Sequence, residues 1–128
     1  MKQDQEIALS AAYQARTATL IEFLTTLASD EVTRSALVKT TTGSVDLTPE
    51  ERVAAIVIGM AGRELMQNSH YQYSQGYLDE EHWQMIRQLI RQQLQNPIMR
   101  DGLQDARVRP SFRQVVEEID REMRAEAE

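Results

Sequence analysis

The sequence predicts an all-α fold, a compact bundle of about five to six helices with a long N-terminal helix, and two strong helix starts support this prediction. At the first start, Thr48 can cap a helix, Pro49 suits its first position and Glu51 can close a capping box. At the second, Gly76 ends one helix and Asp79 begins the next. One uninterrupted helical stretch joins the two starts. We therefore predict that all 128 residues form a single helical domain.

Helix 1 is predicted over residues 3–28, which makes it roughly 40 Å long. Alanines at helical spacing form a stripe of small side chains along it, and small side chains let another helix approach closely. This length exceeds what a small domain needs, so we expect part of the helix to pack on another chain. The sequence thus predicts a homodimer formed through helix 1 and part of helix 3, with the interface residues Ala8, Ala12, Ala15 and Leu20.

Helix 3 is predicted over residues 49–74, and its first half is the most apolar segment of the chain. Residues 53–61 are apolar on every side of a helix, which is typical of a central helix. Inside this helix, Gly59 and Gly62 each cost about 1 kcal/mol relative to alanine. We expect a close crossing with the alanine stripe of helix 1 to compensate for this cost.

The other helices are predicted to be shorter. Helix 2 covers residues 30–39 and helix 4 covers residues 79–95. A short helix 5 begins at Asn96-Pro97, and helix 6 begins at Pro110, because a proline suits the first position of a helix. Helices 1, 3, 4 and 6 are expected to form the core.

The net charge is −6, and the charges are unevenly distributed. Residues 82–116 contain six arginines and two acids, whereas residues 117–128 contain six acids and two bases. We interpret this as electrostatic complementarity within the fold or between chains. A nucleic-acid-binding protein needs an excess of positive charge on one face, and here the acidic tail would compete with phosphate. Nucleic acid is therefore not an expected partner.

Targeting signals are not evident in the sequence. The N-terminus lacks the basic and apolar regions of a signal peptide. The longest uncharged apolar run, residues 53–61, is too short to span a bilayer. There is no cysteine, so neither a disulfide nor a thiolate metal site can form. These features are typical of a cytoplasmic protein.

Common catalytic motifs are also absent. The sequence has no phosphate-binding glycine loop, no Gly-x-Ser-x-Gly and no His-Glu-x-x-His. We predict that the protein is not an enzyme and has no catalytic residue, cofactor or metal site. An enzyme that uses carboxylates or a metal would require four polar side chains to converge: Glu64, His70, Asp79 and His82.

Two non-enzymatic functions fit the composition. The first is an interaction or scaffold domain that forms the homodimer described above. The alternative is a module that binds a small molecule or a lipid in an apolar pocket between helices. Methionine and aromatic side chains are the basis of this alternative, because methionine lines adaptable pockets as well as filling cores. The predicted lining consists of Met60, Met66, Tyr73, Trp83 and Met85.

Six short segments occur in a characteristic order: Ala28-Ser29-Asp30-Glu31, Leu47 to Arg52, Tyr71-Gln72-Tyr73, Gly76 to Trp83, Asn96-Pro97 and Pro110 to Arg113. Together they resemble a group of small uncharacterised bacterial helical proteins, over nearly the whole chain. That group usually has an N-terminal membrane-spanning helix, which this sequence does not contain, and paired tryptophans where this chain has Asp101-Gly102-Leu103. The resemblance implies a helical fold and membrane proximity of a longer native form, and it implies no activity.

Overall fold

Six α-helices and their connections make up residues 2–128, the part of the chain that the computed structural model describes. The predicted all-α fold with a long first helix is confirmed. In chain order the helices are α1 (Lys2–Ser29), α2 (Glu31–Thr41), α3 (Pro49–Ser74), α4 (Glu80–Leu94), α5 (Pro97–Leu103) and α6 (Pro110–Ala127).

Both helix starts that the sequence predicts are present. At the start of α3, the Glu51 backbone N–H donates to Thr48 Oγ1 at 3.1 Å, and the Thr48 N–H donates to Glu51 Oε1 at 2.9 Å. At the start of α4, the His82 N–H donates to Asp79 Oδ1 at 2.7 Å. Gly76 has a φ of +81° just after α3, which a residue with a Cβ rarely adopts. These local interactions fix the bounds of the two helices that carry the candidate site.

The main core lies between α3, α4, α5 and α6. Helix α1 contributes Leu27 to a smaller cluster with Ile58 and Met99, and its half-buried Phe23 packs against that cluster. The prediction that helix 1 belongs to the core is wrong for the part before Phe23, because its apolar residues are spread around the helix and none of them is buried. The main cluster consists of Met66, Ile90, Leu94, Leu103, Val108, Phe112, Val116 and Ile119.

Helix α3 is central, as predicted, but one of its faces is open. It packs on α2, α5 and α4. The outer face carries exposed apolar side chains, so the apolar first half of the helix is not buried on every side. We call this surface the α3 stripe, and it consists of Val53, Ile56, Val57 and Met60.

The two glycines of α3 face helices other than α1. A Cβ at Gly59 would lie 2.9 Å from Met99 Sδ of α5, and a Cβ at Gly62 would lie 3.1 Å from Gln93 Nε2 of α4. The predicted crossing with the alanine stripe of helix 1 is therefore wrong. Short α5, which places Met99 against α3, takes the position that was expected for α1.

The basic and acidic segments complement each other within the fold. Arg87 Nη2 lies 2.8 Å from Glu122 Oε2, and Arg91 Nη1 lies 3.0 Å from Glu126 Oε2. Arg100 Nη2 lies 2.8 Å from a carboxylate oxygen of the buried Asp120. The last helix is thus joined by charge pairs to α4 and α5, as the uneven charge distribution predicts.

None of the helices within residues 2–128 is both long enough and apolar enough to cross a lipid bilayer.

Candidate functional site

An apolar cleft separates α1 from the pair formed by α3 and α4, and it is the candidate functional site. Its volume is about 460 Å³. We call it the α1 cleft. Most of its lining is apolar and comes from three helices, with one residue from α2. The large apolar side chains of the lining are Leu20, Phe23, Leu24, Leu27, Leu37, Ile58, Leu65, Met66, Ile86 and Leu89.

Contacts at the two ends of the cleft show that α1 runs antiparallel to α3. At one end, Arg16 Nη1 donates to the backbone oxygen of Tyr77, just beyond α3, at 3.4 Å. At the other end, Leu27 packs with Ile58 in the first half of α3. At 1.5 Å per residue, the distance along α1 from Arg16 to Leu27 is about 16 Å. The cleft is therefore elongated, with chemically different ends.

One face of α1 supplies its wall of the cleft. Arg16, Leu20, Phe23 and Leu27 all line the cleft. They are spaced four, three and four residues apart, and residues at this spacing share one face of a helix. This face carries three large apolar side chains and a single cation.

One long side of the cleft is open to solvent. Leu20, Leu24 and Leu89 line it yet keep 46%, 51% and 46% of their surface exposed. Deeper in the cleft, Met66 and Ile58 are buried. A concave apolar surface that reaches water in this way is typical of a binding site for an apolar group.

The end of the cleft near Arg16 is polar. His82 lies there, and its ring meets the ring of Tyr13 edge-on with centroids 5.3 Å apart. Gln72 of α3 lines the same end. Burial lowers the pKa of the Arg16 guanidinium, while the nearby negative charge of Asp79 acts in the opposite direction. The guanidinium stays charged at neutral pH, because its ordinary pKa is far above 7.

Two buried polar atoms of the lining have no hydrogen-bond partner within residues 2–128. They are Arg16 Nε and Gln93 Oε1. Gln93 lies near the other end of the cleft, where its amide faces Gly62. A buried polar atom without a partner typically costs about 1–3 kcal/mol. A ligand or a water molecule could satisfy these atoms.

Of the five side chains predicted to line a pocket, the structure places only Met66 in the lining. Tyr73 and Trp83 stack on each other, with centroids 5.0 Å apart and an interplanar angle of 13°. Met60 and Met85 face solvent, with 39% and 60% of their surface exposed. Helical spacing identifies the apolar faces, but it does not tell which face a neighbouring helix covers.

The predicted interface residues of α1 lie mostly at the cleft. Ala12, Ala15 and Leu20 line it, whereas Ala8 is half-buried outside the lining. The three lining residues thus face α3 and α4 of their own chain. The homodimer itself stays a prediction.

The four polar residues of the enzyme hypothesis do not form one cluster: Asp79 and His82 meet at the start of α4, whereas Glu64 and His70 have other surroundings. His70 lies among aromatic rings, with centroids 5.3 Å from Trp83 and 6.1 Å from Phe112, and burial lowers its pKa. The Glu64 carboxylate is exposed and accepts a hydrogen bond from Gln67. Within the described chain, no group of three or more His, Asp or Glu side chains could hold a metal ion.

Sequence reasoning did not select Arg16, Leu37 or Gln93 as site residues. The sequence does contain a pattern that indicates Arg16. It lies four residues before Leu20 and therefore shares one helix face with Leu20, Phe23 and Leu27. Leu37 and Gln93 carry no comparable signal, since their places in the lining depend on how separate helices pack.

No family model matches this chain, and neither a curated protein nor a solved structure is significantly similar to it. The geometry of the α1 cleft is therefore the basis for a functional proposal.

Proposed function

We propose that this protein is a non-enzymatic binding module that holds a small apolar or lipid-like ligand in the α1 cleft. The observation that carries the proposal is the apolar cleft of about 460 Å³ between α1 and the α3–α4 pair. This volume falls within the range of about 300–1,000 Å³ that is typical of ligand pockets. An apolar ligand would remove the cleft surface from water, which is favourable by about 25 cal/mol per Å² of apolar area.

The loose attachment of α1 favours the same proposal. Of the 28 residues of this helix, only Leu27 is buried. A helix with so few buried side chains can shift against its neighbours at little cost in free energy. The cleft can therefore widen or narrow around a ligand while the main core stays packed.

Binding of an apolar fluorescent dye tests the proposal. We expect the dye to bind the wild-type protein, and we expect Leu24→Asp to weaken binding about tenfold, because it places a carboxylate on the cleft rim. Ile21→Asp is the matched control, since Ile21 is 60% exposed and does not line the cleft. Equal dye affinity for both variants would contradict the proposal. Native mass spectrometry of the purified protein would also detect a retained ligand directly.

A second candidate function, an interaction domain that forms a homodimer, is favoured by the α3 stripe. Its residues lie at positions i, i+3, i+4 and i+7 of a helix and form one continuous apolar face. Between 39% and 62% of the surface of each side chain is exposed. Contact with the same face of a second chain would remove these side chains from water, as isologous dimers do.

Sedimentation velocity at micromolar concentration tests the dimer. We expect a dimer for the wild type and a monomer for Ile56→Glu, because a buried glutamate without a partner would oppose association. Val38→Glu is the control, since Val38 is 63% exposed on α2 and outside the stripe. A wild-type monomer would exclude this function. Cytoplasmic location and membrane proximity remain predictions.

A further inference from the structure

The charge along the α1 cleft is asymmetric. Arg16 is the only lysine, arginine, aspartate or glutamate among the lining residues of the described chain. It lies at one end beside His82 and Gln72, whereas the opposite end is closed by the apolar side chains of Leu27 and Ile58. A ligand that fills the whole cleft would therefore meet a cation at one end and an apolar surface at the other.

Most hydrogen-bond donors of the Arg16 guanidinium have no partner within residues 2–128. Its one hydrogen bond is the long 3.4 Å contact to the backbone oxygen of Tyr77. Its buried Nε has no partner in residues 2–128, and within the same residues no carboxylate forms an ion pair with it. A guanidinium offers five N–H donors, so most of them are available to a ligand.

Asp79, the acid whose charge acts on Arg16, is already engaged elsewhere. The Asp79 carboxylate accepts the backbone N–H of His82 and caps α4. Its charge partly offsets that of Arg16, but it does not use the donors of the guanidinium. An anionic group that enters the cleft could pair with Arg16 through charge-assisted hydrogen bonds, which are about twice as strong as neutral ones.

The dimensions of the cleft suit one extended chain. The distance from Arg16 to Leu27 is about 16 Å along α1. The width is limited by α1 on one side and by α3 and α4 on the other, and the total volume of about 460 Å³ lies in the lower part of the usual range. From these observations we infer that the ligand is a single-chain amphiphile with an anionic headgroup. The headgroup binds at Arg16 and His82, and the chain extends towards Leu27 and Ile58.

This inference rests on the proposed function, and the choice of probes separates the two. The proposed function requires only that an apolar chain binds in the cleft. The inference requires that the headgroup charge determines affinity. Dodecanoate, dodecanol and dodecyltrimethylammonium share one chain and differ in headgroup charge. Displacement of the fluorescent dye is measured for each of them below its micelle-forming concentration or, for dodecanol, below its solubility limit.

We expect dodecanoate to bind the wild type about tenfold more tightly than dodecanol, and dodecyltrimethylammonium to bind most weakly. Arg16→Gln should remove the advantage of dodecanoate over dodecanol. Arg52→Gln removes the same charge from an exposed position of α3 outside the lining, and it should preserve the advantage. Circular dichroism of both variants shows whether they keep the fold.

The outcomes are distinct. Equal affinity of the wild type for dodecanoate and dodecanol would overturn the inference and leave the proposed function in place. An advantage of dodecanoate that survives Arg16→Gln would also overturn it, because the headgroup would then bind elsewhere. Failure of all three compounds to displace the dye or to bind by calorimetry would overturn both. Dodecyl phosphate that binds like dodecanoate would support an anionic headgroup and widen its chemistry beyond carboxylate.

Discussion

Gly59 of α3 and Met99 of α5 lie so close that a Cβ at Gly59 would be 2.9 Å from the methionine sulfur. This contact brings the backbone of the central helix against a helix of only seven residues. At Gly102, by contrast, a Cβ would meet no heavy atom within 4 Å. Close packing therefore restricts the residue at Gly59 but not the residue at Gly102. Alanine substitutions at the two positions should change the stability of the protein in opposite directions.

Gly102→Ala is expected to raise the free energy of unfolding by about 0.5 kcal/mol, because alanine has the higher helix propensity. Gly59→Ala is expected to lower it by about 1 kcal/mol, because overpacking against Met99 costs more than the gain in propensity. Urea denaturation of both variants measures the difference. A stabilised Gly59→Ala variant would show that the Met99 side chain moves aside freely.

Glu51 should make stability depend on pH in the acid range. Its carboxylate accepts hydrogen bonds from the Lys39 ammonium at 2.7 Å, from the Ser35 hydroxyl and from the Thr48 backbone N–H. These donors, the Lys39 ammonium first among them, lower its pKa from 4.5 to about 2. Because the pKa is lower in the folded chain, the carboxylate stabilises the fold above about pH 4.5 and loses this contribution as the pH falls towards about 2.

The measurement is the free energy of unfolding of the wild type and Glu51→Gln across this pH range. The variant should be less stable at neutral pH, and the two curves should converge in acid. Glu50→Gln changes a neighbouring exposed carboxylate in the same helical turn and serves as the control. A constant gap between the wild type and Glu51→Gln at every pH would contradict the ion-pair explanation.

Gln93→Leu should stabilise the protein by about 1 kcal/mol, because it removes a buried acceptor that has no hydrogen-bond partner. The side chain also lines an otherwise apolar part of the α1 cleft, so leucine should increase the affinity for an apolar chain. Thermal denaturation and dye binding measure the two effects. Gln92→Leu, at an exposed position of α4, is the control. Lower stability of Gln93→Leu would mean that water satisfies this oxygen in solution.

Hydrogen exchange should distinguish α1 from the rest of the bundle. The amides of residues 2–24 should exchange faster than those of α3 and α4, since this part of α1 has no buried side chain to hold it against the core. Mass spectrometry of peptide fragments gives the rates, and dodecanoate should slow exchange in α1 in particular. Equal protection of α1 and α3 in the free protein would contradict the loose attachment described above.

The helix starts were predictable from the sequence, because short-range interactions determine them. The capping box of Thr48 and Glu51 and the cap at Asp79 act within one helical turn, so a few neighbouring residues determine them. The pairing of the basic and acidic segments was also predictable, because blocks of opposite charge attract at long range. Which atoms pair, such as Arg100 with Asp120, depends on the final packing.

The packing of α1 was not predictable in the same way. Its apolar side chains lie on several faces, and nothing local decides which face the bundle covers. The same ambiguity affects the pocket residues, because Met60 lies on an apolar face of α3 that no other helix covers. The α1 cleft is produced by the gap between three helices, so its lining became visible only once their arrangement was known.

The main core draws its buried side chains from residues 66–119 and includes none from α1. The proposed ligand, in contrast, would touch α1 along its length from Arg16 to Leu27. The α1 side of the cleft can therefore serve recognition without belonging to the main core, whereas Met66 of α3 belongs to both. Substitutions in the first 24 residues can alter what is bound with little loss of folded protein, and this leaves selection free to change the ligand while the bundle is retained.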